Sequence, residues 1–132
     1  MRAVDANVLV RYFARDDEAQ HEAAAALLEG AADRGEALFV SDAVLCELAW
    51  VLGRAYRQNR ATLITVLAGL LGARHVTFAG HTGAVDALAA YAAGRGDFAD
   101  YLIRERARAA GCDAVVTFDR VLHREPGFVA PG

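Results

Sequence analysis

The sequence predicts a single α/β domain in which a central parallel sheet of about four strands is flanked by helices. Short apolar runs alternate along the chain with longer stretches whose apolar residues recur at helical spacing. This alternation is typical of parallel sheets that carry helices on their faces. The 132 residues include no long polar, Pro-rich or Ser-rich interruption, so we expect one domain covering residues 1–132.

Four strands and six helices account for this alternation. The apolar runs predicted as strands cover residues 2–4, 38–40, 75–78 and 114–118. The stretches with helical periodicity cover residues 7–14, 18–32, 42–56, 60–71, 82–93 and 100–110. Ser41 precedes the third helix as a candidate N-cap, and candidate C-terminal stops follow other helices at Gly72, Gly94 and Gly111.

The composition indicates how the core is built and where the protein is located. Hydrophobic residues make up 55% of the chain but aromatic residues only 8%, which predicts a core built from Ala, Leu and Val. Met1 leads directly into a predicted strand without a signal segment, and no apolar run is long enough to span a bilayer, so we expect a cytoplasmic protein. Cys46 and Cys112 match no zinc or disulfide spacing and are expected to be reduced core residues.

The net charge of -3 argues against strong sequence-independent binding to phosphates, which depends on Lys and Arg. However, all 14 basic residues are Arg, the side chain that pairs best with phosphate through two parallel hydrogen bonds. They form local groups at positions 54, 57 and 60 and at positions 104, 106, 108, 120 and 124. These groups permit a nucleic-acid partner, but an ordinary solvated surface explains them equally well.

Two acidic residues directly follow predicted strands. Asp5 comes after the first strand and Asp119 after the fourth. In open α/β sheets the functional groups collect beyond the carboxyl ends of the strands. If these two strands are parallel neighbours, both carboxylates project from one edge of the sheet.

Two further acids lie on predicted helices. We expect Glu47 to point inward, because it falls within an apolar stripe made of Val44, Leu48, Val51 and Ala55. A Glu in such a stripe carries a desolvation cost unless a cation or hydrogen bonds offset it. Asp100 precedes Ile103 and Ala107 at helical spacing, which places it at the start of the buried face of its own helix.

Each acid also has an ordinary structural interpretation. Asp5 can cap the helix that follows it, and Asp119 can form an Asx turn. Asp97 and Asp100 can be a helix cap and a first-turn acid favoured by the helix dipole. Glu47 is the hardest of these acids to explain in structural terms alone.

Carboxylates that share one pocket repel one another unless a cation neutralises them. Mg²⁺ or Mn²⁺ prefers such oxygen ligands, and no Cys or His spacing in the chain suits zinc better. A metal of this kind activates water and stabilises the charge that develops on a phosphodiester, so the acids favour phosphodiester hydrolysis. Asn7, two residues after Asp5, and Thr117, two residues before Asp119, are candidate supporting residues.

Four short motifs occur in order along nearly the whole chain. They are Val4-Asp5-Ala6-Asn7-Val8-Leu9, Glu47 in a helix after Ser41, Asp97-Phe98-Ala99-Asp100-Tyr101-Leu102-Ile103, and Val116-Thr117-Phe118-Asp119. In this order and spacing they resemble a PIN-domain ribonuclease, specifically the VapC-type toxin of bacterial toxin–antitoxin pairs.

The resemblance implies a three-layer fold with Mg²⁺ or Mn²⁺ held by the matching acids, Asp5, Glu47, Asp100 and Asp119. It also implies cleavage of RNA, often a tRNA or rRNA loop, a VapB-type antitoxin that blocks the acidic pocket, and a homodimer. Asp97 is an alternative or additional metal ligand beside Asp100. We favour Asp100 as the metal ligand, because its helical phase points it inward.

Other functions compete with this interpretation. Phosphoacceptor receiver domains and haloacid-dehalogenase-like phosphatases also carry acids at strand ends, but they use a Lys and the chain contains none. A non-catalytic α/β binding module and a non-toxin PIN nuclease of RNA maturation remain alternatives. Metal-dependent activity would distinguish an enzyme from the binding module. A comparison of substrates would distinguish a toxin from a nuclease of RNA maturation.

Overall fold

The computed structural model describes all 132 residues, which form two compact units, Met1–His81 and Thr82–Gly132. The first unit contains β1 (Arg2–Ala3), α1 (Ala6–Ala14), α2 (Glu18–Arg34), β2 (Leu38–Val40), α3 (Asp42–Arg54), α4 (Arg60–Leu71) and β3 (Val76–Phe78). The second contains α5 (His81–Ala93), which begins at the unit boundary, followed by α6 (Phe98–Ala109), β4 (Val115–Val116), a 3₁₀ helix (Leu122–Arg124) and β5 (Phe128–Val129).

The strands of the first unit form a parallel sheet in the order β1-β2-β3. Leu38 lies opposite Arg2 on one side and Val76 on the other, and Phe39 lies opposite Ala3 and Thr77 in the same way. Side chains alternate along β2 and β3, so Leu38 and Val40 are buried, as are Val76 and Phe78. Helix α3 turns a leucine face inward, and its fully buried residues are Leu45, Leu48 and Leu52.

Polar side chains fix where the helices of the first unit begin. Ser41 Oγ accepts a hydrogen bond from the Val44 backbone N–H at 3.2 Å, which confirms the predicted N-cap of α3. Asp17 caps α2 in the same way, and Asn59 caps α4 through a 2.9 Å hydrogen bond from Thr62. Each of these caps satisfies a backbone donor that a helix start otherwise leaves without a partner.

In the second unit, α6 packs against the parallel pair of β4 and β5, with Val115 opposite Phe128. Arg104 of α6 is buried and donates from Nη1 to the Pro126 carbonyl at 3.0 Å. Its guanidinium carbon lies 5.3 Å from the ring centre of Tyr101 and 5.6 Å from that of Phe128. An ion pair of 3.1 Å with Glu105 offsets the cost of burying the charge.

We expect Arg104→Ala to lower the free energy of unfolding by about 2–4 kcal/mol, because it removes a charged hydrogen bond and the packing of a long side chain. Arg108→Ala is the matched control, since Arg108 contacts the same Glu105 but its side chain is 49% exposed. The control should change the free energy of unfolding by no more than about 0.5 kcal/mol. Urea denaturation measures both values, and equal losses would contradict a stabilising role for the buried guanidinium.

The fold class is confirmed as α/β with parallel strands flanked by six helices, and all six helices lie where predicted to within a few residues. The sheet differs in size, because it has three strands instead of about four. The predicted fourth strand pairs with β5 in its own unit, so a sheet edge shared by Asp5 and Asp119 stays a prediction. Both cysteines are free as expected, but neither is a fully buried core residue, since Cys46 is half-buried and Cys112 is exposed.

Candidate active site

Asp100 occupies the third position of α6, where its carboxylate reaches back to the start of the helix. Its Oδ2 accepts a hydrogen bond of 2.9 Å from the backbone N–H of Asp97, the N-cap residue. This arrangement is half of a capping box, and it explains why the sequence places two acids three residues apart. The side chain is only partly exposed, which agrees with the inward helical phase predicted for it.

Burial raises the pKa of Asp100, and the hydrogen bond from the Asp97 backbone lowers it by a smaller amount. The charges of Asp97, Asp119 and Glu125 raise this pKa further. Asp97, Asp119 and Glu125 of the second unit are therefore each close enough to Asp100 to repel its charge. Glu125 was not among the residues predicted for the site, because a Glu followed by Pro near the end of a chain carries no distinctive sequence signal.

Asp119 lies in a turn that its own side chain stabilises. Its Oδ1 accepts a hydrogen bond of 2.9 Å from the Val121 N–H, which is the Asx turn considered as the structural alternative. The Asp119 N–H donates in turn to Thr117 Oγ1 at 3.1 Å. Thr117 therefore supports Asp119 by holding its backbone, and the exposed Asp119 keeps its second carboxylate oxygen available.

Glu125 is held by hydrogen bonds that also order the segment before α6. The Tyr101 hydroxyl donates to Glu125 Oε2 and accepts from the Gly96 N–H at 2.9 Å, while the Arg95 N–H donates to Glu125 Oε1 at 2.9 Å. A Cβ atom on Gly94 would clash with the Tyr101 hydroxyl oxygen, so only glycine allows this approach. The Tyr101 hydroxyl thus positions the chain just before Asp97.

We expect Tyr101→Phe to lower the free energy of unfolding by about 1–3 kcal/mol, because it removes the hydroxyl that accepts from the Gly96 N–H and donates to Glu125. Tyr12→Phe is the control, since the Tyr12 ring stacks on its neighbours and its hydroxyl supports no such network. Thermal and urea denaturation of both variants provide the comparison. A Tyr12→Phe loss as large as that of Tyr101→Phe would contradict this positioning role.

Asp5 and Asn7 lie at the start of α1 in the first unit. Asp5 is the N-cap residue, and its Oδ1 accepts a 2.8 Å hydrogen bond from the Ala6 N–H. The Ala6 N–H thus orients one oxygen of this carboxylate. Asn7 lines an open cavity of about 350 Å³ with Val8 and Arg11, and its supporting role beside Asp5 stays a prediction.

The predicted inward orientation of Glu47 is wrong, because its side chain is exposed on α3. The buried face of α3 runs through Leu45, Leu48 and Leu52. The apolar stripe from which the orientation of Glu47 was predicted is therefore not the buried face. Glu47 precedes Leu48 by one residue, which turns it about 100° away from that face. Its carboxylate therefore needs no buried cation and remains accessible to solvent.

The candidate residues divide between the two units. Asp5 and Glu47 belong to the first unit, whereas Asp97, Asp100, Asp119 and Glu125 belong to the second. No three His, Cys, Asp or Glu side chains converge into a ready-made metal site. The donor chemistry nevertheless fits a hard divalent cation, since the group around Asp100 offers only carboxylate oxygens and a cation would relieve their repulsion.

A parallel α/β fold that carries a group of oxygen-donor acids is typical of enzymes that hydrolyse phosphodiesters with the help of divalent metals. The family model described as the PIN domain matches residues 2–127, and the chain belongs to this family. PIN domains are generally nucleases that act on RNA, and they typically use divalent metals. No curated protein matches the sequence. None of the helices is both long enough and apolar enough to cross a membrane.

Proposed function

We propose that this protein is a metal-dependent endoribonuclease and the toxin component of a VapBC-type toxin–antitoxin pair in the cytoplasm. The observation that carries the proposal is the half-buried carboxylate of Asp100, which is surrounded by the charges of Asp97, Asp119 and Glu125 at the start of α6. Such crowding costs free energy unless a cation offsets it. A single PIN domain covering residues 1–132 is part of the proposal, and the family match to residues 2–127 supports it.

The metal ligands in this proposal are Asp5, Glu47, Asp100 and Asp119, with Asp97 as an additional candidate. Mg²⁺ or Mn²⁺, when bound, would activate water and stabilise the charge on the cleaved phosphodiester. The chain itself contributes orientation, because the Asp97 N–H fixes one oxygen of Asp100 and Thr117 fixes the backbone of Asp119. The exposure of Asp5, Glu47 and Asp119 leaves these carboxylates accessible to an ion from solvent.

The proposed substrate is a single-stranded loop of tRNA or rRNA, because splayed-out loops expose both the backbone and the bases to a protein. The proposed partners are a VapB-type antitoxin that covers the acidic residues and a second copy of the chain in a homodimer. The order and spacing of the four sequence motifs support these assignments. A small antitoxin reading frame directly upstream would distinguish a toxin from a PIN nuclease of RNA maturation.

The test is cleavage of a mixed tRNA and rRNA pool by purified protein with Mg²⁺ or Mn²⁺ and, in parallel, with EDTA. We expect cleavage only with metal, and its loss in Asp5→Asn and in Asp100→Asn. Asp113→Asn is the matched control, because Asp113 is exposed and lies outside the candidate residues. Equal inactivity of the folded, partner-free wild type and all variants would reject the ribonuclease.

The alternative is a PIN-like binding module without catalysis. Such a module would bind RNA with the same affinity in EDTA and in Mg²⁺ and would leave the RNA intact. Gel analysis of the incubated RNA together with a binding measurement therefore separates the two functions.

A further inference from the structure

An open cavity of about 600 Å³ lies in the second unit, beside the group of acids around Asp100. Three arginines line it, namely Arg95 from the segment before α6 and Arg120 and Arg124 from the segment between β4 and β5. Glu125 also lines this cavity and at the same time raises the pKa of Asp100. The arginine cavity and the acidic group are therefore neighbours that share Glu125.

The three arginines differ from the paired arginines nearby. Arg104 and Arg108 both contact Glu105, whereas the guanidinium groups of Arg95, Arg120 and Arg124 make no ion pair or hydrogen bond within the chain. All three residues are exposed. Guanidinium groups that remain unpaired around one cavity are available to an anionic ligand, and their planar forks match phosphate geometry.

The backbone around the cavity is nevertheless ordered. The Arg95 N–H is bound to Glu125, Arg120 lies within the Asx turn of Asp119, and Arg124 ends the 3₁₀ helix. Ordered backbone with free guanidinium groups lowers the entropy that a bound anion has to remove. The cavity is thus partly organised before a ligand binds.

The chain places these arginines directly beside acids of the candidate site. Arg95 precedes Asp97 by two residues, a backbone separation of at most about 7 Å, and Arg120 follows Asp119 directly. RNA that approaches the four carboxylates is repelled by them, because its phosphates carry the same sign of charge. A positive cavity beside the acids offsets this repulsion and fixes where the strand lies.

We propose that Arg95, Arg120 and Arg124 bind a backbone phosphate of single-stranded RNA next to the phosphodiester presented to Asp100. This inference rests on the proposed ribonuclease function and assigns the residues that position its substrate. An acidic peptide is the competing ligand, because its carboxylates also match the arginine fork. The position of the cavity beside a nuclease-type acidic group favours RNA.

The test measures the affinity of the Asp100→Asn variant for a fluorescein-labelled single-stranded oligouridine by fluorescence anisotropy in EDTA over a range of salt concentrations. Into this variant we would introduce Arg95→Gln, Arg120→Gln or Arg124→Gln. Arg74→Gln is the matched control, because Arg74 is exposed, makes no ion pair and lies in the first unit. Circular dichroism verifies that each variant is folded.

We expect each cavity substitution to raise Kd roughly threefold to tenfold. The slope of log Kd against log salt should fall by about 0.7 for each phosphate that is no longer neutralised, and Arg74→Gln should change neither quantity. Replacing all three arginines by Lys should keep most of the salt slope, since the charge remains, but weaken binding because the planar fork is removed.

The inference is overturned if the three cavity variants bind the oligouridine as tightly as Arg74→Gln does. It is also overturned if polyglutamate displaces the RNA at equal concentration of charged groups, since the cavity would then be selective for an acidic peptide, or if inorganic phosphate alone displaces it as well as RNA does. Cleavage by wild type with unchanged binding in the arginine variants would reject this inference and leave the ribonuclease standing. Loss of binding in those variants, with a wild type that cleaves nothing, would support the RNA site and reject the enzyme.

Discussion

Asp100→Asn is expected to lower RNA cleavage strongly and at the same time to stabilise the folded protein at neutral pH. The activity should fall by about a hundredfold to a thousandfold, a loss typical of removing one preorganised group that stabilises charge in a transition state. The gain in stability has a separate origin. Asp100 is only partly exposed, and its charge is opposed by Asp97, Asp119 and Glu125, so a neutral amide of the same shape removes an unfavourable charge.

The pH dependence of this gain follows from the direction of the pKa shift. Because the pKa of Asp100 is raised in the folded protein, the folded state binds more protons than the unfolded state from the ordinary value of 3.8 upward. The free energy of unfolding therefore decreases as pH rises through this interval, and the cost persists at neutral pH. Below the ordinary value both states are protonated, so the advantage of Asn should disappear.

Thermal denaturation of wild type and Asp100→Asn at neutral pH and at a pH well below the ordinary aspartate pKa tests both parts. Asp113→Asn has the same change of charge at an exposed position and should leave Tm unchanged. The hydrogen bond from the Asp97 N–H survives the substitution, because Asn keeps a carbonyl oxygen as acceptor. A lower Tm for Asp100→Asn at neutral pH would show that Asp100 serves mainly as a helix cap.

Removal of the divalent metal is the second change for which we expect a large effect on activity and on Tm. EDTA should abolish cleavage, and Mg²⁺ or Mn²⁺ added to the metal-free protein should restore it. The same ions should raise the Tm of wild type, because a ligand that binds only the folded state stabilises it by about 2.7 kcal/mol at a hundredfold excess over Kd. In Asp100→Asn this rise in Tm should be much smaller, because the variant has one carboxylate fewer and the repulsion that the ion relieves is weaker.

Calcium provides a useful contrast in the thermal assay, since it also takes oxygen ligands but accepts a larger and more flexible coordination shell. The expected result is a rise in Tm with Mg²⁺ or Mn²⁺ that parallels the recovery of activity. Activity that survives complete chelation would contradict the metal-dependent mechanism even if the acids proved essential.

The sequence predicted the helices well because their signals are local. Apolar spacing and caps such as Ser41 depend on residues within a few positions of one another, and these signals specify where a helix begins. The two-residue strand β5 was missed, because Phe128 and Val129 are too few to show a periodicity and they follow Pro126 and Gly127. Its pairing with β4 depends on residues that are distant in sequence.

The acids show the same division between local and distant information. The position of Asp100 within a capping box follows from the spacing of two residues, and the helical phase correctly predicted partial burial. The orientation of Glu47 was predicted wrongly because two overlapping apolar stripes exist on α3, and only the packing decides that Leu45, Leu48 and Leu52 are buried. Glu125 could not be predicted at all, since its hydrogen bond from Tyr101 joins residues 24 positions apart.

The short parallel pair of β4 and β5 fixes both ends of the segment between them, which carries Asp119, Arg120, Arg124 and Glu125. Within it Leu122 is the one deeply buried side chain and Glu125 is held by Tyr101, whereas Arg120 and Arg124 are exposed and make no such contacts. Substitution of these two arginines should therefore change the charge of this surface while Leu122, Glu125 and the two strands preserve the fold. Under the proposed ribonuclease function, such substitutions are a route to a different RNA specificity at little cost in folding.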